Sequence, residues 1–123
     1  MTIIDAINRI DSLKPNRYEQ REKIKWLSGL DAMVFVNVIS KHEGAQETAF
    51  NGYDADTDLN TKMYADAPYD DIYLYWLESQ IDYWNGDTAK YNNSISMFNS
   101  AYTAFSNHYT KTHMPKSTRF KFF

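Results

Sequence analysis

The residues best suited to chemistry lie in one acidic segment, where Asp54, Asp56 and Asp58 occupy alternate positions. A calcium-binding loop places oxygen ligands at its positions 1, 3 and 5 in the same way. Such a loop also needs Gly at position 6 and a bidentate Glu at position 12, where this chain has Leu59 and Ala65. We therefore interpret the three carboxylates as a solvated acidic loop and a candidate interface, and we do not predict a calcium site.

The other polar groups with catalytic or metal-binding potential lack partners in the sequence. His108 and His113 are five residues apart, which places them about 140° apart on a helix, and no carboxylate lies near them in sequence. Glu78 and Asp82 share one helical face, but no Glu-x-x-His motif accompanies them, so we interpret them as an exposed acidic edge. No nucleophile elbow, phosphate-binding loop or dinucleotide motif is present. The sequence therefore predicts no catalysis, no cofactor and no metal.

The composition narrows the class of protein further. The chain has 123 residues, of which 43% are hydrophobic, so we expect one domain with a real core. The absence of cysteine excludes a disulfide framework, a thiolate nucleophile and a Cys-ligated zinc, and it fits intracellular folding. No apolar run approaches the roughly 18 residues of a membrane span, and the N-terminus does not have a signal-peptide pattern. We expect no membrane association.

The charges are unevenly distributed along the chain. No Asp or Glu follows Asp87, and the five cations beyond it give that segment a charge of +5. Because the whole chain carries −3, residues 1–87 carry −8, with the densest acid between Glu43 and Asp87. One interpretation is that the charges of a solvated surface segregated by chance. The other is head-to-tail self-association, in which the basic end of one copy contacts the acidic middle of the next. A head-to-tail contact that closes makes a ring.

Four stretches of the chain have the hydrophobic periodicity of a helix, and they predict the fold that positions the polar and charged residues described above. We expect a mainly all-α fold, a four-helix bundle-like domain over residues 1–115 with an extended tail over residues 116–123. Between helices 2 and 3 we expect a long loop or a small β-hairpin, which would pair residues 48–50 with residues 62–64. A non-helical stretch of about 20 residues is long for a bundle and is usually functional.

The two later helices have aromatic faces and form a predicted antiparallel hairpin around the turn Trp84–Asp87. The third helix runs from about Tyr69 to Trp84, and Asp87 or Thr88 caps the fourth. On the fourth helix, apolar residues recur at spacings of 4, 3, 4, 3 and 4, which predicts a core seam. Its members are Tyr91, Ile95, Phe98, Tyr102, Phe105 and Tyr109.

The earlier helices are predicted from their start signals. Thr2 followed by Asp5 resembles a capping box, and Asn16 can cap a second helix that begins near Arg17. The segment Ala32–Ile39 is ambiguous between helix and strand, because its alternating valines suit a strand. We predict a helix, since no turn residue interrupts this stretch. Such a helix is apolar nearly all round, so it has to be buried against its own core and also against a partner or a loop.

The C-terminal tail combines cations with phenylalanines, in the set Lys116, Arg119, Phe120, Lys121, Phe122 and Phe123. We interpret this set as a candidate interface that docks into a protein groove, with Phe anchors and a cationic rim. The alternatives are a disordered terminus and weak contact with a phosphate backbone. A sequence pI near 5.5 opposes specific nucleic-acid binding.

Four segments of the chain resemble a known family. They are MTIIDAINRIDSLKPN, FNGYDADTDLNT, APYDDIYLYWLESQIDYWNGDTAKYNNSISMFNSAY and THMPKSTRFKFF. They are similar to small proteins encoded in the structural modules of tailed bacteriophages and prophages of low-GC bacteria. The most specific part is Y-W-L-E-x-Q-I-D-Y-x-N-G, here Tyr75 to Gly86. Members of this family include proteins called head–tail connectors, also known as adaptor or head-completion proteins.

The resemblance implies a small helical bundle without catalytic residues. It also implies a ring of copies beneath the portal vertex, between the DNA-filled head and the tail. The expected partners are further copies of the chain, the portal and neighbouring head–tail proteins. We expect the protein to fold in the host cytoplasm and to reside in the virion. Duplex DNA could pass through the ring, and an acidic lumen would repel its phosphates; the loop with Asp54, Asp56 and Asp58 is the candidate for that surface. The alternative is a small helical protein-binding or regulatory module of phage origin.

Overall fold

The computed structural model describes residues 1–42 and 49–114 of the chain. Its helices are α1 (Ile3–Leu13), α2 (Gln20–Asn37), α3 (Asp71–Trp84) and α4 (Thr88–Thr112), with one turn of 3-10 helix at Ile39–Lys41. Within these two ranges no strand occurs. The predicted all-α fold with four bundled helices is therefore confirmed.

Helix α3 lies at the centre of the bundle and packs against each of the other three helices. Its residues Ile72, Tyr73, Leu77 and Ile81 are completely buried. Complete burial of one such aliphatic side chain contributes about 1.5–3 kcal/mol to folding, so this row anchors the core. Helices α1 and α2 also pack against each other, while α4 runs back along α3 as the predicted hairpin.

Local capping signals set the starts of two helices as predicted. The amide of Asp5 donates to the hydroxyl of Thr2, and the amide of Thr2 donates to the carboxylate of Asp5. This is the capping box at the start of α1. At the start of α4, the carboxylate of Asp87 accepts a hydrogen bond from the amide of Lys90 at 3.1 Å.

The start of α2 differs from the prediction. Asn16 does not cap this helix, because α2 begins at Gln20 and its N-cap is Glu19. The side chain of Asn16 instead holds the turn after α1: its amide group donates to Asp11 and its oxygen accepts from the amide of Tyr18. Asn16 thus stabilises a turn conformation, which is the competing use of such a side chain.

The segment Ala32–Ile39 is helical up to Asn37 and continues into the 3-10 turn, so the helix prediction is confirmed. Val34 is buried in the core, whereas Val36 is exposed. Phe35 is covered by Tyr64 of the following loop, with ring centroids 5.8 Å apart. The expected second burial surface is therefore a loop of the same chain.

The connection between α2 and α3 is a long loop in its described part, residues 49–70. The β-hairpin alternative is not observed there: the described part contains only an isolated antiparallel bridge between Lys62 and Thr2. None of the helices in the described ranges is long and apolar enough to cross a membrane.

Candidate interaction surface

The acidic loop presents its carboxylates to solvent. Asp54, Asp56 and Asp58 are all exposed, and within the described ranges none of them forms an ion pair. Two of the side chains organise their own backbone: Asp54 accepts from the amide of Asp56 at 2.9 Å, and Asp58 accepts from the amide of Asn60 at 2.9 Å. The loop therefore carries three charges on an ordered set of turns.

A buried carboxylate attaches this loop to the helices. Asp31 of α2 is completely buried, and its oxygens accept hydrogen bonds from the hydroxyls of Tyr53 at 2.5 Å and Tyr73 at 2.6 Å. It also accepts from the amide of Tyr64 at 3.3 Å, and the Tyr73 hydroxyl accepts from the amide of Ala65 at 2.8 Å. One carboxylate thus connects both flanks of the acidic loop to α2 and α3.

Burial determines the ionisation of this cluster. Removal from water raises the pKa of Asp31 above its ordinary value, while the hydrogen bonds from Tyr53, Tyr73 and Tyr64 oppose that rise. Burial and the nearby charge of Asp31 raise the pKa values of the Tyr53 and Tyr73 hydroxyls far above the ordinary value. Both phenols therefore remain protonated donors to the Asp31 carboxylate.

Backbone contacts hold the loop at further points. The amide of Ile4 donates to the carbonyl of Leu59 at 2.9 Å, beside α1. On the α2 side, the amide of Tyr53 donates to the Ser28 hydroxyl at 2.9 Å. Gly52 has φ +92°, and a Cβ at this position would lie 3.2 Å from the Ser28 hydroxyl oxygen. Glycine is therefore required where the loop turns close to α2.

A second buried polar cluster joins three helices. Asp82 of α3 is buried; it accepts from the Lys14 ammonium at 2.7 Å and from the Ser94 hydroxyl at 2.9 Å. The interpretation of Glu78 and Asp82 as an exposed acidic edge is thus wrong for Asp82, because Lys14 compensates its burial. Burial disfavours the charge of Lys14, but its hydrogen bond to and attraction by Asp82 outweigh this and raise its pKa.

The predicted seam of α4 lies against α3. Phe98 and Phe105 are buried, and Ile95, Tyr102 and Tyr109 are partly buried against the same core. Phe98 packs against Trp76 with ring centroids 5.0 Å apart. Tyr91 at the start of the seam is only half-buried and contacts the ring of Tyr83. The seam thus faces inward over most of its length.

The turn between α3 and α4 exposes two large aromatic side chains. Tyr83 is 56% exposed and Trp84 is 59% exposed, and their rings pack edge to face. Gly86 in this turn has φ +76°, which favours glycine. This aromatic tip, Tyr83 and Trp84, is an apolar surface at the end of the bundle.

The histidines take structural positions. His108 is exposed and stacks on Tyr69, while His113 stacks on Tyr109 with ring centroids 3.7 Å apart. His42 is buried, and its Nδ1 lies 2.6 Å from the carbonyl oxygen of Val38. In residues 1–42 and 49–114, no group of three or more His, Cys, Asp or Glu side chains could hold a metal ion.

The tail residues that were predicted to form an interface lie outside the described residues, which end at Met114. The set is Lys116, Arg119, Phe120, Lys121, Phe122 and Phe123. The predicted boundary between the domain and the tail falls in the same segment and stays a prediction.

Comparison of the chain with protein-family models, curated proteins and solved structures gave no match. The phage resemblance therefore depends on the sequence segments quoted above. The physical argument for function depends on the acidic loop and on the surfaces that the bundle exposes.

Proposed function

We propose that this chain is a structural adaptor of a tailed bacteriophage, a head–tail connector that assembles as a head-to-tail ring at the portal vertex. It acts through protein contacts and performs no catalysis. The proposal combines the sequence resemblance with the segregation of charge between an acidic middle and a basic end.

The observation that carries the proposal is the way in which the acidic loop is held. Asp54, Asp56 and Asp58 project from a loop whose flanks are fixed to α2 and α3 through Asp31 and to α1 through backbone hydrogen bonds. A surface that is ordered before binding loses less conformational entropy on association.

Two roles fit this loop in a ring. At a subunit interface, its carboxylates would attract the basic end of the next copy and bring the two into register. In a lumen, they would repel the phosphates of passing DNA. A ring structure with the loop on its outer surface would exclude the lumen role.

The direct test is co-expression with the portal protein of the phage or prophage that encodes this chain, followed by co-purification and electron microscopy. We expect a complex in which several copies of the chain form a ring on the portal. A chain that neither binds the portal nor associates at high concentration in light scattering would contradict the proposal. Assembly is measured in the presence of the portal because a connector can remain monomeric without it.

The contribution of the loop is tested by a triple substitution, Asp54→Asn, Asp56→Asn and Asp58→Asn. Asn retains the oxygen that accepts the loop's own hydrogen bonds, so the turns are preserved while three charges are removed. We expect slower and more salt-sensitive assembly with an unchanged thermal unfolding curve. The matched control removes three exposed carboxylates elsewhere, through Glu19→Gln, Glu22→Gln and Asp66→Asn. Equal assembly of both variants would exclude a role for the loop.

The exposed aromatic tip favours the second candidate function, a helical module that binds another protein. Aromatic side chains are enriched at binding sites, and Tyr83 and Trp84 are both more than half exposed. Replacing both with Ser should leave portal assembly intact if the connector function is correct. If the chain is a binding module instead, the native protein should form no portal complex, and the same two substitutions should abolish its binding to another host or phage protein.

A further inference from the structure

A groove crosses the surface of α1, α3 and α4 on the outer side of α3. It consists of two adjoining cavities of about 290 Å³ and about 330 Å³. Asp71 and Tyr75 line both cavities, so the two lie side by side on this surface. An apolar cavity of about 150 Å³ already holds a benzene molecule, so each half has room for an aromatic ring.

The second cavity is lined mainly by apolar atoms, the first by polar and apolar atoms in similar amounts, and both remain uncovered by the described chain. Leu13 of α1 is 67% exposed and Met97 of α4 is 45% exposed, at opposite ends of the groove. Leu74 and Ala101 continue this apolar surface between them. These four apolar side chains, together with two cavities that are each large enough for an aromatic ring, favour an aromatic ligand.

The charges at the groove favour a cationic partner. Asp71 is exposed at the junction of the cavities, and Glu78 lines the first one. Two cations also line that cavity, Arg9 and Lys14, but the buried carboxylate of Asp82 binds Lys14 at 2.7 Å. Lys14 also lies 3.5 Å from Glu78, so the carboxylates of Asp71, Glu78 and Asp82 stand against two cations and leave a net charge of −1 at the groove.

We propose that this groove receives the segment Lys116–Phe123 from a second copy of the chain. The segment carries three cations and three phenylalanines within eight residues. In an extended peptide, side chains two positions apart point to the same side, so Phe120 and Phe122 would enter the two cavities. Arg119 and Lys121 start on the opposite side, and their long side chains would reach back over the rim of the groove toward Asp71 and Glu78. The inference depends on the proposed function, because it identifies the contact that joins neighbours in the ring.

The direction in which the chain leaves α4 favours a second copy over the same copy. His113 stacks on Tyr109 and lies near His42, so the chain leaves α4 on that side. Ala104, which lines the groove, is five residues before Tyr109 and therefore about 140° away around the helix. To enter its own groove, the tail has to cross α4, about 10 Å wide, and return about 12 Å from Thr112 to Ala104. The nine residues Pro115–Phe123 span at most about 30 Å, so after covering that path too few of them remain to fill both cavities.

Site-directed cross-linking tests the contact directly, because the native chain has no cysteine. One population carries Ala104→Cys and the other, with a mass tag, carries Phe122→Cys. Their oxidised mixture should yield a mixed dimer well above the yield with Val36→Cys, an exposed apolar control outside both cavities. Equal yields would overturn the proposal. So would a chain with both substitutions that closes on itself as a monomer while the mixture gives no mixed dimer.

A binding titration measures the groove separately from assembly. The probe is a labelled peptide of residues 116–123, added to the full-length chain with all three tail phenylalanines changed to Ala. Met97→Glu should weaken binding about tenfold or more, since one buried ring is worth roughly that factor, whereas Val36→Glu should not. No difference between these variants would overturn the groove assignment.

Co-purification with the portal distinguishes failure of the groove assignment from failure of the proposed connector function. If native rings form and Met97→Glu does not impair them, the groove assignment fails while the connector function stands. If the tail peptide binds the groove but the native chain never binds a portal, the connector function fails while the tail contact stands.

Discussion

Replacing Asp31 with Asn should destabilise the protein and loosen the acidic loop. The carboxylate is completely buried and accepts two short hydrogen bonds from the Tyr53 and Tyr73 hydroxyls. Asn has the same shape but presents an NH₂ group in place of one oxygen. At least one phenol then has to accept a hydrogen bond where it now donates one, which weakens the network.

The magnitude follows from two opposing contributions. Hydrogen bonds to a charged group contribute about 1.5–3 kcal/mol each, so the two phenols supply about 3–6 kcal/mol to the present network. Burial of an ionised carboxylate costs several kcal/mol, and no cation among the described residues pairs with Asp31 to offset it. We expect a net loss of about 1–2 kcal/mol for Asp31→Asn and about 3–4 kcal/mol for Asp31→Ala, which leaves both donors unsatisfied beside a cavity.

The pH dependence of the free energy of unfolding tests the same argument independently, because its direction follows from the shift in the pKa of Asp31. Burial raises the folded-state pKa of Asp31 above the ordinary value of 3.8, so the folded state binds its proton more readily than the unfolded state does. The native protein should therefore lose stability relative to Asp31→Asn as pH rises from below about 4 through the folded-state pKa. The other carboxylates contribute equally to the pH dependence of both proteins. The difference between the unfolding free energies of the native protein and Asp31→Asn therefore reports on Asp31 alone.

Urea unfolding followed by circular dichroism, repeated from pH 3.5 to 8, measures both quantities. Hydrogen exchange at the amides of Tyr64 and Ala65, which donate to Asp31 and to the Tyr73 hydroxyl, reports on the loop. We expect faster exchange at these amides in Asp31→Asn. Equal midpoints, together with a pH-independent difference between the two proteins, would refute the argument that a buried charged acceptor holds the loop.

Three further substitutions test separate parts of the fold by the same unfolding measurement. Lys14→Met should cost about 2–3 kcal/mol, because it leaves the buried carboxylate of Asp82 without its cation, and no loss would mean that Asp82 is solvated or protonated. Gly86→Ala should cost about 1–2 kcal/mol because φ is +76°, whereas the control Gly29→Ala, in open space within α2, should gain about 0.5–1 kcal/mol. Phe98→Ala should cost about 3–5 kcal/mol by leaving a cavity between α3 and α4, and a loss below 1 kcal/mol would contradict its place in the core.

The parts of the fold that local rules govern could be predicted from the sequence. The capping box at Thr2, the cap at Asp87 and the helical period of α4 all depend on residues within one or two turns of each other. Asn16 shows where a local rule fails, because an Asn side chain can either cap a helix or stabilise a turn. Here its side chain forms the hydrogen bonds of the turn after α1. The start of a helix therefore depends on which of two local contacts forms, whereas its existence follows from a pattern that extends over several turns.

The anchoring of the candidate surface could not be predicted in the same way. The partners of Asp31 are Tyr53, Tyr64 and Tyr73, which lie 22, 33 and 42 residues away. A signal existed, because Asp31 interrupts an otherwise apolar face and a buried Asp requires donors. The many tyrosines of this chain were suitable donors, but which of them reach Asp31 depends on the path of the loop.

The two buried polar clusters suggest why the bundle contains charges that an apolar core could replace. Asp31 connects α2, α3 and the acidic loop, and Asp82 connects α1, α3 and α4 through Lys14 and Ser94. Buried charges are seldom the most stable choice, but their hydrogen bonds are satisfied in only one register. In the proposed ring every interface would repeat the same rotation, so a small shift in one subunit would recur at each contact. We therefore expect the double variant Lys14→Met with Asp82→Leu to unfold no more easily than the native protein, yet to form fewer or irregular rings in electron microscopy. Normal rings from a variant of native stability would show that the Lys14–Asp82 pair does not set the geometry of assembly.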